Sequence, residues 1–163
     1  MSDKKITLLT ISDHPLLPSG VGTQTKYVIE ALLNSGKFNV ISLGGAIKHQ
    51  DYTPQKVEGF PGFWEIFAID GYGNPAMVNQ FIRDRKVDMI YFMTDPRFYE
   101  WLWSVDDQIR AKVPLIYYHV WDNYPYPKYN KRYYDSNDLI ASISKVTSDI
   151  VKNVCPEVDE EYV

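Results

Sequence analysis

Ser19-Gly20-Val21-Gly22-Thr23 follows a β-branched apolar run and leads into a helical stripe. Two glycines let a backbone approach a ligand closely, and free amides at a helix start suit an anion such as a phosphate. Thr25 stands where a dinucleotide-binding G-x-G-x-x-G loop needs its third glycine, and no Gly-Lys-Ser/Thr follows as in a P-loop. A plain strand-to-helix turn fits the same residues equally well. His119 closes an apolar run, with Asp122 three residues on. A histidine there can orient or polarise a hydroxyl, and a nearby carboxylate can hold its tautomer or accept a proton. The competing reading is a histidine packed under an aromatic loop. Asp95 and Arg97 follow another apolar run, where they can contact a ligand or simply begin an Asp-Pro turn. Seven tyrosines fall between Tyr117 and Tyr134. Such rings stack on a sugar face, a base or a partner, or pack on one another. His14 and His49 lie in loops without partner spacing, and Cys155 is the single cysteine. No metal cluster, zinc site or internal disulfide is therefore expected, and Cys155 reads as a minor thiol.

The elements that must position these residues alternate strand and helix. Strands are expected over 6–11, 38–43, 64–69, 88–93, 115–120 and 139–143, with one short edge strand within the Gly- and Pro-rich stretch 45–63. Helices are expected after Thr23 up to the stop at Gly36, over 77–85, over 98–111, briefly over 130–134, and from a Ser144 cap through Asn153. The tail from Pro156 shows no partner pattern. This alternation predicts an α/β fold, a doubly wound and mostly parallel sheet of Rossmann-like type, as a single domain. Ligands of such sheets sit at the carboxyl ends of the strands. The mouth should then comprise 12–23, 70–75, 94–97 and 119–127.

The chain of 163 residues, 45% hydrophobic and 23% charged, is long enough for a sizeable core and unlike a disordered chain. Seventeen Lys and Arg against 21 Asp and Glu leave a net charge of −4, which argues against nucleic acid or an anionic membrane as partner. The opening lacks a signal peptide and no apolar run is long enough to span a bilayer, so the cytoplasm is expected and membrane association has no support.

Taken together, Ser19-Gly20-Val21-Gly22, the strand Asp88-Met89-Ile90-Tyr91, Tyr118-His119 at a strand end, Ser142-Ile143-Ser144-Lys145 before a helix and Val154-Cys155-Pro156-Glu157-Val158-Asp159 resemble the N-terminal half of family 4 glycosyltransferases of the GT-B fold. Ser19 stands where that family's loop commonly has its first glycine. The resemblance implies an acceptor-side domain over 1–153, the start of a linker over 154–163, and a second domain that is missing from this sequence. It implies a hexosyltransferase-type, metal-independent enzyme that needs no cofactor beyond its nucleotide-sugar donor and is inactive without that second domain. Gly20, Val21 and Gly22 would face the donor diphosphate, His119 would assist transfer, and Tyr72, Thr94, Asp95, Trp121 and Asp122 would line the side of an unidentified acceptor. The alternative is a stand-alone flavodoxin-like module that binds a small phosphorylated ligand or a protein partner. A receiver-like signalling domain is rejected, because no phosphoacceptor Asp with a downstream Lys is placed convincingly.

Overall fold

β-Branched and aliphatic runs bounded by Gly, Pro and Asp become the strands of one sheet. The computed structural model describes residues 3–163. The strands are β1 (Ile6–Asp13), β2 (Phe38–Gly45), β3 (Gln55–Val57), β4 (Trp64–Ala68), β5 (Met89–Met93), β6 (Leu115–His119), β7 (Leu139–Ser142) and β8 (Glu160–Tyr162). The helices between them are α1 (Gly20–Asn34), α2 (Pro75–Arg85), α3 (Glu100–Trp103), α4 (Asp106–Arg110), α5 (Lys131–Asp135) and α6 (Lys145–Val154). The sheet order is β3-β4-β2-β1-β5-β6-β7-β8. β1 with β2, β2 with β4, β6 with β7 and β7 with β8 pair in parallel, whereas β3 is antiparallel to β4. The fold is thus the expected Rossmann-like α/β class. The chain divides into two compact units, Met1–Ile90 and Tyr91–Val163.

In the first unit, Leu8, Leu9 and Ile11 of β1 and Val40, Ile41 and Leu43 of β2 are buried with Ile29 and Leu33 of α1. Runs apolar on both faces are what parallel strands covered by helices require. One polar network lies among them: Thr10 donates to the Ser42 hydroxyl (2.8 Å), which also accepts from the Trp64 indole (3.0 Å). In the second unit the core is aromatic. Phe92 stacks on Tyr117 with centroids 4.7 Å apart and meets Tyr99 and Trp103 at 5.0 and 5.3 Å.

Each unit begins a strand by the same device. Asp88, just before β5, accepts from the Thr7 amide (2.9 Å), and its own amide donates to the Thr7 carbonyl (2.8 Å). Asp138, just before β7, does the same with Leu115, at 2.8 and 3.0 Å. Asp88, which heads one of the runs behind the family resemblance, is thus a register clamp.

Three expectations need correction. Helix α1 starts at Gly20, not after Thr23, because the Ser19 hydroxyl caps it by accepting from the Gly22 amide. The single helix expected over 98–111 is a 3-10 turn, Pro96–Tyr99, followed by α3 and α4. The Trp103 indole donates to the Pro96 carbonyl (2.7 Å), and Val105 leaves helical geometry at φ −134°, so burial of the aromatic side chains overrides a continuous helix. The tail does find a partner: Glu160–Tyr162 forms the edge strand β8 beside β7. The stop after α1 is as expected, with Gly36 in the left-handed region at φ +74°. No helix among the described residues is long and apolar enough to cross a membrane.

Candidate functional site

The polar residues gather at the carboxyl ends of the strands in each unit. In the first, β1 ends at Asp13, and the Ser19 cap turns the chain into α1. Asp13 is the hub: one carboxylate oxygen accepts from the Ser19 hydroxyl (2.8 Å) and the other from the Tyr72 hydroxyl (2.7 Å). Tyr72 is delivered by a turn whose flanking Gly71 and Gly73 both have positive φ. Tyr72 and the glycine loop are therefore brought together through Asp13.

Gly22, expected to face a diphosphate, has its amide occupied by Ser19 (2.8 Å). Its role is steric. A Cβ there would stand 2.6 Å from the His14 carbonyl oxygen and 2.9 Å from the Ser19 hydroxyl. Gly20 and Val21 are the first two residues of α1, so their amides have no acceptor within the helix. Gly20 is exposed and has open space where a Cβ would lie. These two amides are the donors this end leaves open, and the Asp13 carboxylate at the end of β1 adds negative charge to the same end.

His14 and His49, which lack partner spacing in the sequence, lie with rings 5.5 Å apart. His14 is buried and its Nδ1 accepts from the Leu16 amide (3.2 Å), which leaves the proton on Nε2. Burial, reinforced by repulsion from His49, holds its pKa below the ordinary value. His49 donates through Nε2 to the Ile69 carbonyl (3.1 Å).

In the second unit β5 ends at Met93, and Thr94 adopts φ +137°, an unusual conformation for a β-branched residue. Aromatic donors hold this turn from three sides. Tyr99 donates to the Met93 carbonyl (2.8 Å), Tyr117 to the Thr94 carbonyl, and Trp103 to the Pro96 carbonyl. A strained turn persists where its surroundings over-determine it. Asp95 accepts from the Arg97 amide (2.9 Å) and guanidinium (2.6 Å). The Arg97 hydrogen bonds, acting against desolvation, hold its carboxyl below the usual range.

His119 closes β6 with no exposed surface. Its Nε2 shares a hydrogen bond with the Tyr134 hydroxyl (2.6 Å), and its Nδ1 has no partner among the described residues. Burial pushes its pKa down to about 3, against a weaker opposing pull from Asp95. The imidazole is neutral at physiological pH and covered, so in this conformation it positions Tyr134 and reaches no ligand. The packed surroundings weighed against a catalytic role in the sequence are those observed.

Beyond it, Trp121 is half-buried, donates to the Asn123 carbonyl (3.2 Å), and carries the Arg97 guanidinium 5.8 Å from its ring centroid. Asp122 is exposed. Thr94, Asp95, Arg97 and Trp121 thus form one neighbourhood, with Asp122 on its rim. The Tyr-rich segment splits in two: Tyr117, Tyr118, Tyr133 and Tyr134 are core, whereas Tyr124, Tyr126 and Tyr129 are exposed.

Cys155 is more than a minor thiol. It is buried and donates to Asp135 (2.9 Å), and burial together with Asp135 and Glu157 pushes its pKa up to about 12. Asp135, Cys155 and Glu157 converge closely enough to be metal ligands, which no spacing in the sequence signals. The Lys131 ammonium already lies 2.9 Å from Asp135 and 3.3 Å from Glu157 and balances their charge.

Sequence reasoning missed Asp13 as the hub and Ser19 as the cap. A Ser three residues before a helical amide was the available signal for the cap; the 59-residue reach from Asp13 to Tyr72 had none. Among known proteins, no family model and no curated protein matches this chain.

Proposed function

We propose that the chain is the acceptor-side half of a GT-B-type glycosyltransferase that uses a nucleotide-sugar donor. One observation carries the reading: a serine-capped helix start at the carboxyl end of β1, with two unused amides beside a carboxylate–tyrosine–serine hydrogen-bond network. The Gly20 and Val21 amides suit a diphosphate oxygen. Asp13, Ser19 and Tyr72 suit sugar hydroxyls, since a carboxylate accepts from a diol and hydroxyls both donate and accept. A ligand with both an anionic and a polyhydroxyl part meets both demands. Asp13 repels a bare phosphate and a diphosphate alike, but only the sugar nucleotide brings hydroxyls that can donate to that carboxylate and offset the repulsion. Transfer places growing negative charge on the departing phosphate, and amides fixed at a helix start stabilise it without reorganising. His119 enters this reading as a buried neutral group that holds Tyr134, not as a proton donor. Thr94, Asp95, Trp121 and Asp122 belong to the acceptor side. The family resemblance of the sequence supports the same reading.

The test uses Gly20→Pro. Proline is favoured at the first position of a helix, and Ser19 before it is already extended (φ −133°, ψ 153°), so the fold tolerates the change while one amide donor is lost. UDP- and GDP-hexoses titrated into the chain by calorimetry should bind with roughly millimolar affinity. Gly20→Pro should weaken them about fivefold to tenfold. Absence of binding by every nucleotide sugar, or affinity indifferent to Gly20→Pro, contradicts the proposal.

A further inference from the structure

Between Trp121 and Tyr129 the chain exposes rings in two perpendicular pairs. Trp121 meets Tyr129 at 6.1 Å and 73°, and Tyr124 meets Tyr126 at 5.4 Å and 76°. Tyr124 and Tyr129 are 57% and 65% exposed. The polar atoms of three of these rings are turned back on the protein. Tyr124 and Tyr126 both donate to one Asp149 oxygen, at 3.2 and 2.9 Å, and the Trp121 indole donates to the Asn123 carbonyl. Three of the four rings are thereby tethered, and Tyr124, Tyr126 and Tyr129 keep ring surface open to solvent. Resting on the transferase reading above, we propose that this ring array is the acceptor subsite and that the acceptor is a neutral oligosaccharide whose pyranose rings stack on that surface.

The C–H face of a pyranose carries weakly positive hydrogens that pack on the negative face of an aromatic quadrupole, while its equatorial hydroxyls point outward to polar groups. Polar groups stand beside the rings. Asp122 is an exposed carboxylate, and Arg97, paired with Asp95, reaches over Trp121. A nucleic acid would need positive charge, but 121–129 holds one Asp and one Lys in a chain of net charge −4. A protein partner would seek a continuous apolar patch, whereas exposed Asp122 and Lys128 share this short segment with the rings. Rings tethered before binding also reduce the ordering cost, which matters for a weakly held sugar.

The experiment titrates maltohexaose, cellohexaose, mannohexaose and chitohexaose into the chain to about 10 mM, read by Trp emission and saturation-transfer NMR. At least one should bind saturably. Tyr129→Ala should weaken it roughly fivefold, Tyr129→Phe should retain it, and Tyr27→Ala, an exposed ring on α1, should leave it unchanged. No binding by any of the four, or binding indifferent to Tyr129→Ala and Tyr124→Ala, overturns the proposal. So does concentration-dependent self-association that Tyr129→Ala abolishes, which would assign the rings to a second copy. The nucleotide-sugar titration separates the two readings: nucleotide-sugar binding without oligosaccharide binding removes only the ring array. Oligosaccharide binding without nucleotide-sugar binding removes the transferase.

Discussion

His119 shows how burial decides what a residue can do. A histidine at a strand end suggests proton transfer, but one with no exposed surface and a pKa near 3 stays neutral. Its folded pKa lies below the unfolded value of 6.5. In the window between the two, the unfolded chain binds more protons, so this site's contribution to stability is lost as pH falls from about 6.5 towards 3. His14 acts in the same direction. The imidazole resonances of His119 should therefore fail to titrate between pH 7 and about 4 while the chain remains folded; a midpoint near 6.5 contradicts its burial. Ser19 makes a second residue-scale prediction. Ser19→Ala removes the cap from the Gly22 amide and a donor from Asp13, and should cost about 1 kcal/mol in denaturant unfolding. A loss near zero would contradict the capping geometry.

Among the elements, the turn after β5 holds a β-branched residue, Thr94, at positive φ under strain. The hydroxyl of Tyr117 donates to the Thr94 carbonyl in a fully buried setting. Tyr117→Phe keeps the ring stacked on Phe92 but leaves that carbonyl unpartnered, which should cost about 1–3 kcal/mol in thermal unfolding. An unchanged midpoint would show that the turn needs no clamp. Elements also mark the limit of reading a sequence. The strands were legible because apolar, β-branched runs end in Gly, Pro or Asp, and the caps at Ser144 and Gly36 were legible from local chemistry. Residues 98–111 were not, because Trp103 and Tyr99 are fixed by contacts with Phe92 and the Pro96 carbonyl, and these are tertiary. β8 was hidden because three residues carry no period, and their pairing with β7 depends on a partner about 20 positions away.

For the whole molecule, the eight-stranded Rossmann-like sheet fixes where ligands can sit but not which ligand sits there. The candidate site was legible as a set of loops, because carboxyl-end loops follow from strand order. Its internal wiring was not. Asp13 reaches Tyr72 and His14 reaches His49 across long separations, and only folding makes those pairs. The charge of −4 carries a prediction at this scale: the chain should not be retained on double-stranded DNA or RNA at physiological salt, and retention that falls steeply with added salt would contradict it.

The central claim is that the start of α1 receives the diphosphate of a nucleotide sugar, and residue-resolved amide NMR during a UDP-hexose and GDP-hexose titration tests it most directly. The largest shifts should fall on the Gly20 and Val21 amides, with smaller ones at Ser19 and Tyr72, and free hexose should leave the Gly20 and Val21 signals in place. Shifts centred away from the start of α1, or none at all, would contradict the account.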